Sequence, residues 1–181
     1  MKLLIASDLH GSASWCRRLM EAIAREQPDR ILLLGDLLYH GPRNGLPEDY
    51  DPKAVIAMLS ELRPVPLCVR GNCEAEVDQM VLPFPVLADY CLAEYDGVSI
   101  FATHGHVWNE THLPPLREGD ILLNGHTHIP ANVKHENYTY MNPGSVTLPK
   151  EGSPHSYMLL VDGKPVWKDL DGKDYTPALT K

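Results

Sequence analysis

Short apolar runs and amphipathic stretches alternate along the first half of the chain. Lys2 to Ser7 is an apolar run that stops at a polar turn, which predicts a buried strand. From Ser12 to Gln27, the apolar residues Trp15, Leu19, Met20 and Ile23 follow helical spacing, with Ser12 or Ser14 as cap and Pro28 as the stop. Arg30 to Leu34 is again a continuous buried strand. The stretch from Tyr39 to Pro52 is rich in Gly, Pro, Asn and Asp and reads as a long loop. A second helix carries Val55, Ile56, Leu59 and Leu62 on one face, and Pro64 and Pro66 lead into a third strand, Leu67 to Val69.

The second half is richer in strands. Cys91 to Tyr95 and Val98 to Thr103 flank Asp96-Gly97, a hairpin signal, and further strands are expected at Asp120 to Asn124, Ala131 to His135 and Tyr138 to Met141. Tyr157 to Val161 and Pro165 to Leu170 flank a second hairpin turn, Asp162-Gly163-Lys164. A βαβαβ half with a parallel sheet thus joins a strand-rich half without a domain break, so residues 1–181 are expected to form one domain. The expected architecture is α/β: a four-layer sandwich of two mixed β-sheets packed face to face and flanked by helices.

Composition narrows the functional classes. A chain of 181 residues, 44% hydrophobic and 22% charged, is large enough to bury a core without staples. The net charge of −8 argues against long nucleic acid as a partner, although a small phosphorylated ligand responds to the local field and to bound cations. LLIAS near the N-terminus is too short for a signal-peptide core, and no apolar run reaches the ~20 residues that span a bilayer. Cys16, Cys68, Cys73 and Cys91 form no zinc-finger spacing; Cys16, Cys68 and Cys91 are expected as free thiols in a reducing cytoplasm, and Cys73 is set apart by its place beside Asn72.

The chemistry lies in five turns. Asp8-Leu9-His10-Gly11, Gly35-Asp36, Gly71-Asn72, Thr103-His104-Gly105-His106 and Gly125-His126-Thr127-His128 each follow a predicted strand and place Asp, His or Asn beside Gly. Ligands of open α/β sheets bind outside the carboxyl ends of strands, so the five turns are able to converge. Carboxylate, imidazole and amide oxygen together suit Mn²⁺, Fe²⁺ or Zn²⁺, and the scarcity of thiolate excludes a structural Cys₄ zinc site. On an extended backbone, the i and i+2 spacing of Asp8 with His10 and of His126 with His128 points each pair to one face. One such turn alone would be an ordinary surface feature; five at successive strand ends form a pattern.

In order and composition this series resembles the five-block signature of the calcineurin-like metallophosphoesterases, from Met1 to about Leu148. His40-Gly41-Pro42-Arg43-Asn44 and Asn142-Pro143-Gly144-Ser145 further resemble the small bacterial phosphodiesterases of the YfcE type. The resemblance implies the metallophosphoesterase sandwich and two divalent metal ions per subunit, Mn²⁺ first, with Fe²⁺, Zn²⁺ or Ni²⁺ as alternatives. Carried over by residue, Asp8, His10 and His128 would bind one ion and Asn72, His104 and His126 the other, with Asp36 bridging. A hydroxide held between the ions would be the nucleophile.

One departure matters. Many relatives place His after the asparagine ligand to assist the leaving group, whereas this chain reads Gly71-Asn72-Cys73-Glu74, as the YfcE-type branch does. A thiol is a poorer general acid than imidazolium, which predicts a preference for aryl-like leaving groups; the alternative is that Cys73 only packs beside the metals. Two divalent ions, two aspartates and a hydroxide leave about one net positive charge, which matches a monoanionic diester. Arg43 either forks to the phosphate or is a surface or subunit-contact arginine. His106 either donates a proton, orients a ligand, or is an exposed loop residue. Arg70 is expected to satisfy a nearby carboxylate, and His155 to be a surface residue.

The sequence therefore predicts a cytoplasmic hydrolase of small phosphodiesters, with no membrane partner and with a homo-oligomer, dimer or tetramer, left open. The alternatives are a phosphomonoesterase or nucleotidase, or a metal-binding scaffold of the retromer Vps29 type. The presence of all seven ligand positions speaks against the scaffold.

Overall fold

The computed structural model describes every residue except Asp96, Ala178 and Lys181. Each apolar run becomes a strand and each amphipathic stretch a helix, in the order β1 (Lys2–Ala6), α1 (Ala13–Glu26), β2 (Arg30–Leu33), α2 (Pro52–Ser60), β3 (Leu67–Cys68), α3 (Glu76–Val81), β4 (Cys91–Tyr95) and β5 (Val98–Ala102). There follow β6 (Asp120–Leu123), β7 (Ala131–Lys134), β8 (Tyr138–Asn142), β9 (Ser156–Val161), β10 (Lys164–Asp169), β11 (Asp174–Tyr175) and β12 (Leu179–Thr180).

The strands form two six-stranded mixed sheets, ordered β11-β10-β9-β1-β2-β3 and β12-β7-β8-β6-β5-β4. In the first, β1, β2 and β3 run parallel; in the second, β5, β6 and β8 do. Alternation along β1 and β2 explains why both read as unbroken apolar runs. Leu4, Ala6, Ile31 and Leu33 pack with Cys16, Leu19 and Ile23 of α1 and Val55 and Leu59 of α2. Leu3, Ile5, Leu32 and Leu34 face the other way, against Ile100, Ala102, Ile121 and Leu123 of the second sheet. Phe101, Leu122, Ala131 and Tyr140 form a smaller cluster joined by Leu116.

Local chemistry sets the element ends. Ser12 accepts the Trp15 N–H to cap α1, and Asp51 accepts the Ala54 N–H to cap α2, with Pro52 at the first helical position. At the β9–β10 hairpin, Asp162 (φ 48°) and Gly163 (φ 75°) both take the left-handed conformation that a tight two-residue turn requires. Of the other expected turn, Gly97 has φ 78°, while Asp96 lies outside the described residues.

Three elements were not foreseen. β11 and β12 have two residues each, too few to show a period, and α3 buries none of its residues, so it carries no apolar stripe. Among the described residues, no helix is long and apolar enough to cross a membrane.

Candidate metal centre

All five Asp/His/Asn turns open at the carboxyl ends of parallel strands, at one end of the sandwich. β1 delivers Asp8 and His10, β2 delivers Asp36 and β3 delivers Asn72; from the facing sheet, β5 delivers His104 and β6 delivers His126 and His128. The expectation that extended backbone aims the i and i+2 pairs is corrected. Asp8 (φ 61°), His10 (φ 48°), Asp36 (φ 54°), His126 (φ 62°) and His128 (φ 62°) all lie in the left-handed region. β1 ends at Ala6 and β6 at Leu123, so the pairs sit on coiled turns beyond the strands. Non-glycine residues pay for that conformation, and it persists only where the surroundings hold it.

The seven side chains meet. His128 Nε2 lies 3.2 Å and His10 Nε2 3.6 Å from Asp8 Oδ1, and the two imidazole nitrogens are 3.3 Å apart. Asp36 Oδ2 lies 3.8 Å from His10 Nε2 and 3.4 Å from His104 Nε2. His104 Nε2 is in turn 3.3 Å from Asn72 Oδ1 and 3.2 Å from His126 Nδ1. Asp8, His10, Asp36, His104 and His128 are all buried.

Tautomers follow from the outer contacts. His10 Nδ1 is 2.9 Å from the Tyr39 carbonyl, His104 Nδ1 2.6 Å from that of Leu34, and His128 Nδ1 2.6 Å from that of Leu148. A carbonyl only accepts, so each Nδ1 carries the proton and each Nε2 turns inward. Each aspartate likewise spends one oxygen on the backbone, Asp8 Oδ2 accepting the His126 N–H and Asp36 Oδ1 the Cys73 N–H. The buried Asp8 Oδ1 is left with no hydrogen-bond partner. Inward-facing lone pairs at these distances repel unless positive charge lies between them.

Protons or cations are the two sources of that charge. Burial pulls the His104 imidazole down, but Asp36 and Asp8 outweigh it and hold the ring at about 9. His10 is raised in the same way, against burial, by Asp8. Burial works to raise Asp8, yet His10 and His128 keep its carboxyl well below the usual range. His126 drops to about 4 through burial and the neighbouring His104. Asp8, His10 and His128 bring ligand atoms within 4.8 Å of one another, and so do Asp8, Asp36 and His104. The nitrogen and oxygen donor set, the unpartnered Asp8 oxygen and the carbonyl-fixed imidazoles all fit divalent cations.

A residue that sequence reasoning passed over ties the turns together. The buried Glu74 carboxylate accepts N–H groups from Asp36 (2.9 Å), Leu37 (2.7 Å) and Gly71 (2.5 Å), joining the β2 and β3 turns. Burial and the nearby Asp36 charge raise its carboxyl to about 6, against the three N–H donors. Gly71 is obligatory there, because a Cβ would overlap Asp36 Oδ1. Ser145 Oγ donates to the Asp8 carbonyl (3.0 Å) and Asn142 Nδ2 to that of Gly125 (2.7 Å), which gives the Asn142–Ser145 segment its part in the site. Among the described residues Arg70 pairs with no carboxylate, contrary to expectation; its guanidinium donates to the Glu74 carbonyl. His155 is half-buried and stacks on Trp15 at 3.4 Å rather than standing on the surface.

The cluster floors a cleft of about 490 Å³, with Cys73, Arg43, Asn44 and Lys150 on its walls. Arg43 thus lies at the cleft, and Lys150, which no motif flagged, joins it. The Cys73 thiol is driven up by burial and by the Asp36 carboxylate, so it stays neutral. His106 is exposed and lines a neighbouring hollow; its ring centroid lies 5.4 Å from that of His104 and 6.2 Å from that of His126.

Known proteins resemble this chain to different degrees. Residues 1–163 match the profile described as "Calcineurin-like phosphoesterase superfamily domain". The chain is 44% identical over 160 residues to "Phosphodiesterase YfcE" of Escherichia coli (strain K12), spanning 88% of this chain and 87% of the relative. The solved structure of that E. coli phosphoesterase superposes with a TM-score of 0.94 at 40% identity, covering 98% of both chains. Vps29 of Cryptosporidium parvum shares the fold at a TM-score of 0.65 and 21% identity, over 96% of this chain and 94% of that one.

Proposed function

Since the chain belongs to the calcineurin-like phosphoesterase superfamily and is a metal-dependent phosphoesterase, we propose that it hydrolyses small phosphodiesters at the Asp8–His128 cluster. In this reading Asp8, His10 and His128 would hold one divalent cation and Asn72, His104 and His126 a second, with Asp36 available to both. When bound, such a pair supplies an activated water as nucleophile, its pKa lowered to about 7, and neutralises the phosphoryl oxygens. Manganese is the first choice, because a mixed carboxylate, imidazole and amide set places no premium on softer metals.

The chain's own residues do the rest. Carbonyl contacts at Nδ1 preset the three imidazoles, so little reorganisation accompanies loading. Arg43 and Lys150 supply positive charge on the cleft wall, where they attract and orient the phosphate. The neutral Cys73 thiol beside Asn72 donates weakly to a leaving oxygen, so aryl-like leaving groups, which need little protonation, are favoured.

One observation carries this reading: buried imidazole nitrogens and carboxylate oxygens face one another with their outer atoms already committed. The test is hydrolysis of bis(4-nitrophenyl) phosphate by chelator-stripped protein resupplied with Mn²⁺, Fe²⁺, Zn²⁺ or Ni²⁺ in turn. Activity restored by a cation and abolished in Asp36→Ala supports it. Activity that survives stripping, or that no cation restores, defeats it.

A further inference from the structure

A second cavity opens on the far side of Cys73. It has a volume of about 420 Å³ and is walled by Tyr39, Tyr50, Ile56, Cys73, Val77 and Val81. That size lies in the range of small-molecule pockets, and the lining is almost wholly apolar. Asp78, the charged residue at its wall, has a carboxylate oxygen engaged with the Ala75 N–H (2.9 Å). The metal cleft and this pocket share Cys73 as a common wall. Tyr39 joins them through the backbone as well, since its carbonyl anchors His10. α3 leaves Val77 58% and Val81 44% exposed at the pocket, so these apolar groups have no cover within the chain.

We infer that this pocket is the subsite for the leaving group of the diester, and that the natural leaving group is an aromatic or similarly flat apolar alcohol. The inference rests on the phosphodiesterase reading and adds a physical reason for the aryl preference. The weakness of Cys73 as an acid selects by leaving-group acidity, whereas the pocket selects by apolar area. Tyr39 and Tyr50 supply ring faces, and Ile56, Val77 and Val81 supply aliphatic contact. A phosphate at the cluster with its ester oxygen toward Cys73 would hold the attached group beside the wall that the two hollows share.

The two sources of selectivity separate with leaving groups of matched acidity. Methyl phosphodiesters of 4-cyanophenol and of 4-methylumbelliferone present phenols of nearly equal acidity and different ring area. On the manganese-loaded full chain, kcat/KM for the umbelliferyl ester is expected to be about fivefold higher, mainly through KM, as burial of one more ring predicts. Val77→Asp and Val81→Asp each bring that ratio to within about twofold of one. Met80→Asp, on the same helix but 83% exposed and outside the pocket, leaves the ratio at its wild-type value.

A wild-type ratio of one, with bis(4-nitrophenyl) phosphate still hydrolysed, overturns the pocket assignment and leaves the phosphodiesterase reading standing. Equal effects of Val77→Asp and Met80→Asp also overturn it. So does a drop in solution mass in both variants at an unchanged ratio, which would make this face a contact with a second copy. Loss of all diester hydrolysis with every cation removes both.

Discussion

Replacing Glu74 with glutamine changes one oxygen to nitrogen, yet it strikes the joint between two ligand turns. Its carboxylate receives three backbone N–H groups, two at Oε2 from Asp36 and Gly71 and one at Oε1 from Leu37. Glutamine keeps a single acceptor oxygen. In its better orientation it retains the Asp36 and Gly71 contacts and turns its NH₂ against the Leu37 N–H. A buried donor left unpaired costs ~1–3 kcal/mol, and the charge assistance of the remaining bonds is lost as well. Glutamine also removes a buried charge that burial and Asp36 disfavour by about 2 kcal/mol, so the net loss is about 1 kcal/mol, which lowers Tm by roughly 2–4 °C for a chain of this length. Because Asp36 and Asn72 sit on the loosened turns, metal affinity is expected to fall 10–100-fold, the range typical of second-sphere partners. Thermal unfolding of metal-free protein and Mn²⁺ titration calorimetry measure the two effects, with the exposed Glu76→Gln as control. A Glu74→Gln protein that loses stability but binds Mn²⁺ as tightly as wild type would refute the claim that Glu74 positions the site. Unchanged stability would refute the hydrogen-bond reasoning itself.

Replacing Cys73 with histidine should raise turnover of diesters with alkyl leaving groups by 10-fold or more, since general-acid help is typically worth about 10²–10⁴; steady-state kinetics on matched alkyl and aryl esters decides, and no gain for the alkyl ester counts against a leaving-group role. With one positive charge in reserve at the loaded centre, kcat/KM for bis(4-nitrophenyl) phosphate should exceed that for 4-nitrophenyl phosphate, and faster monoester hydrolysis rejects the diester preference. His104 held at about 9, above its ordinary 6.5, means that metal-free protein carries extra stability at and below pH 6.5. That stability is lost as pH rises through 9, so Tm of the stripped protein should fall across this window, and a flat profile contradicts the assigned contacts. Cation binding displaces the same protons, so calorimetry in buffers of different ionisation enthalpy should register proton release on Mn²⁺ loading at pH 7.

The strands β1 and β2, which carry Asp8, His10 and Asp36, were legible because their central residues are buried on both faces. Beyond their first residues, Lys2 and Arg30, β1 and β2 must be apolar to satisfy α1 and α2 on one side and the second sheet on the other. Ligand identity was legible for a related reason: Asp8, Asp36, His104 and His128 are polar groups at positions where burial leaves no other use for them. Their backbone was not legible. Left-handed φ at Asp or His leaves no mark beyond a nearby glycine, so an extended turn was the natural and mistaken expectation. Glu74 went unnoticed because its partners are backbone groups, which have no sequence signature, and Lys150 because only the folding of the last third brings it to the cleft. α3 escaped for the opposite reason, since a helix that buries nothing shows no pattern.

Four of the seven side chains at the cluster come from the sheet of β1, β2 and β3, and three from that of β5 and β6. Whatever occupies the gap is therefore a rivet driven through the seam of the sandwich. Pulling it out leaves the plates joined at that end by aspartate–imidazole pairs, by the His126 N–H to Asp8 and the His104 ring to the Leu34 carbonyl, and by the apolar layer behind them. Amide exchange at the β5 and β6 turns should then report what is bound to ligands anchored on β1, although no covalent or strand-to-strand link joins those edges.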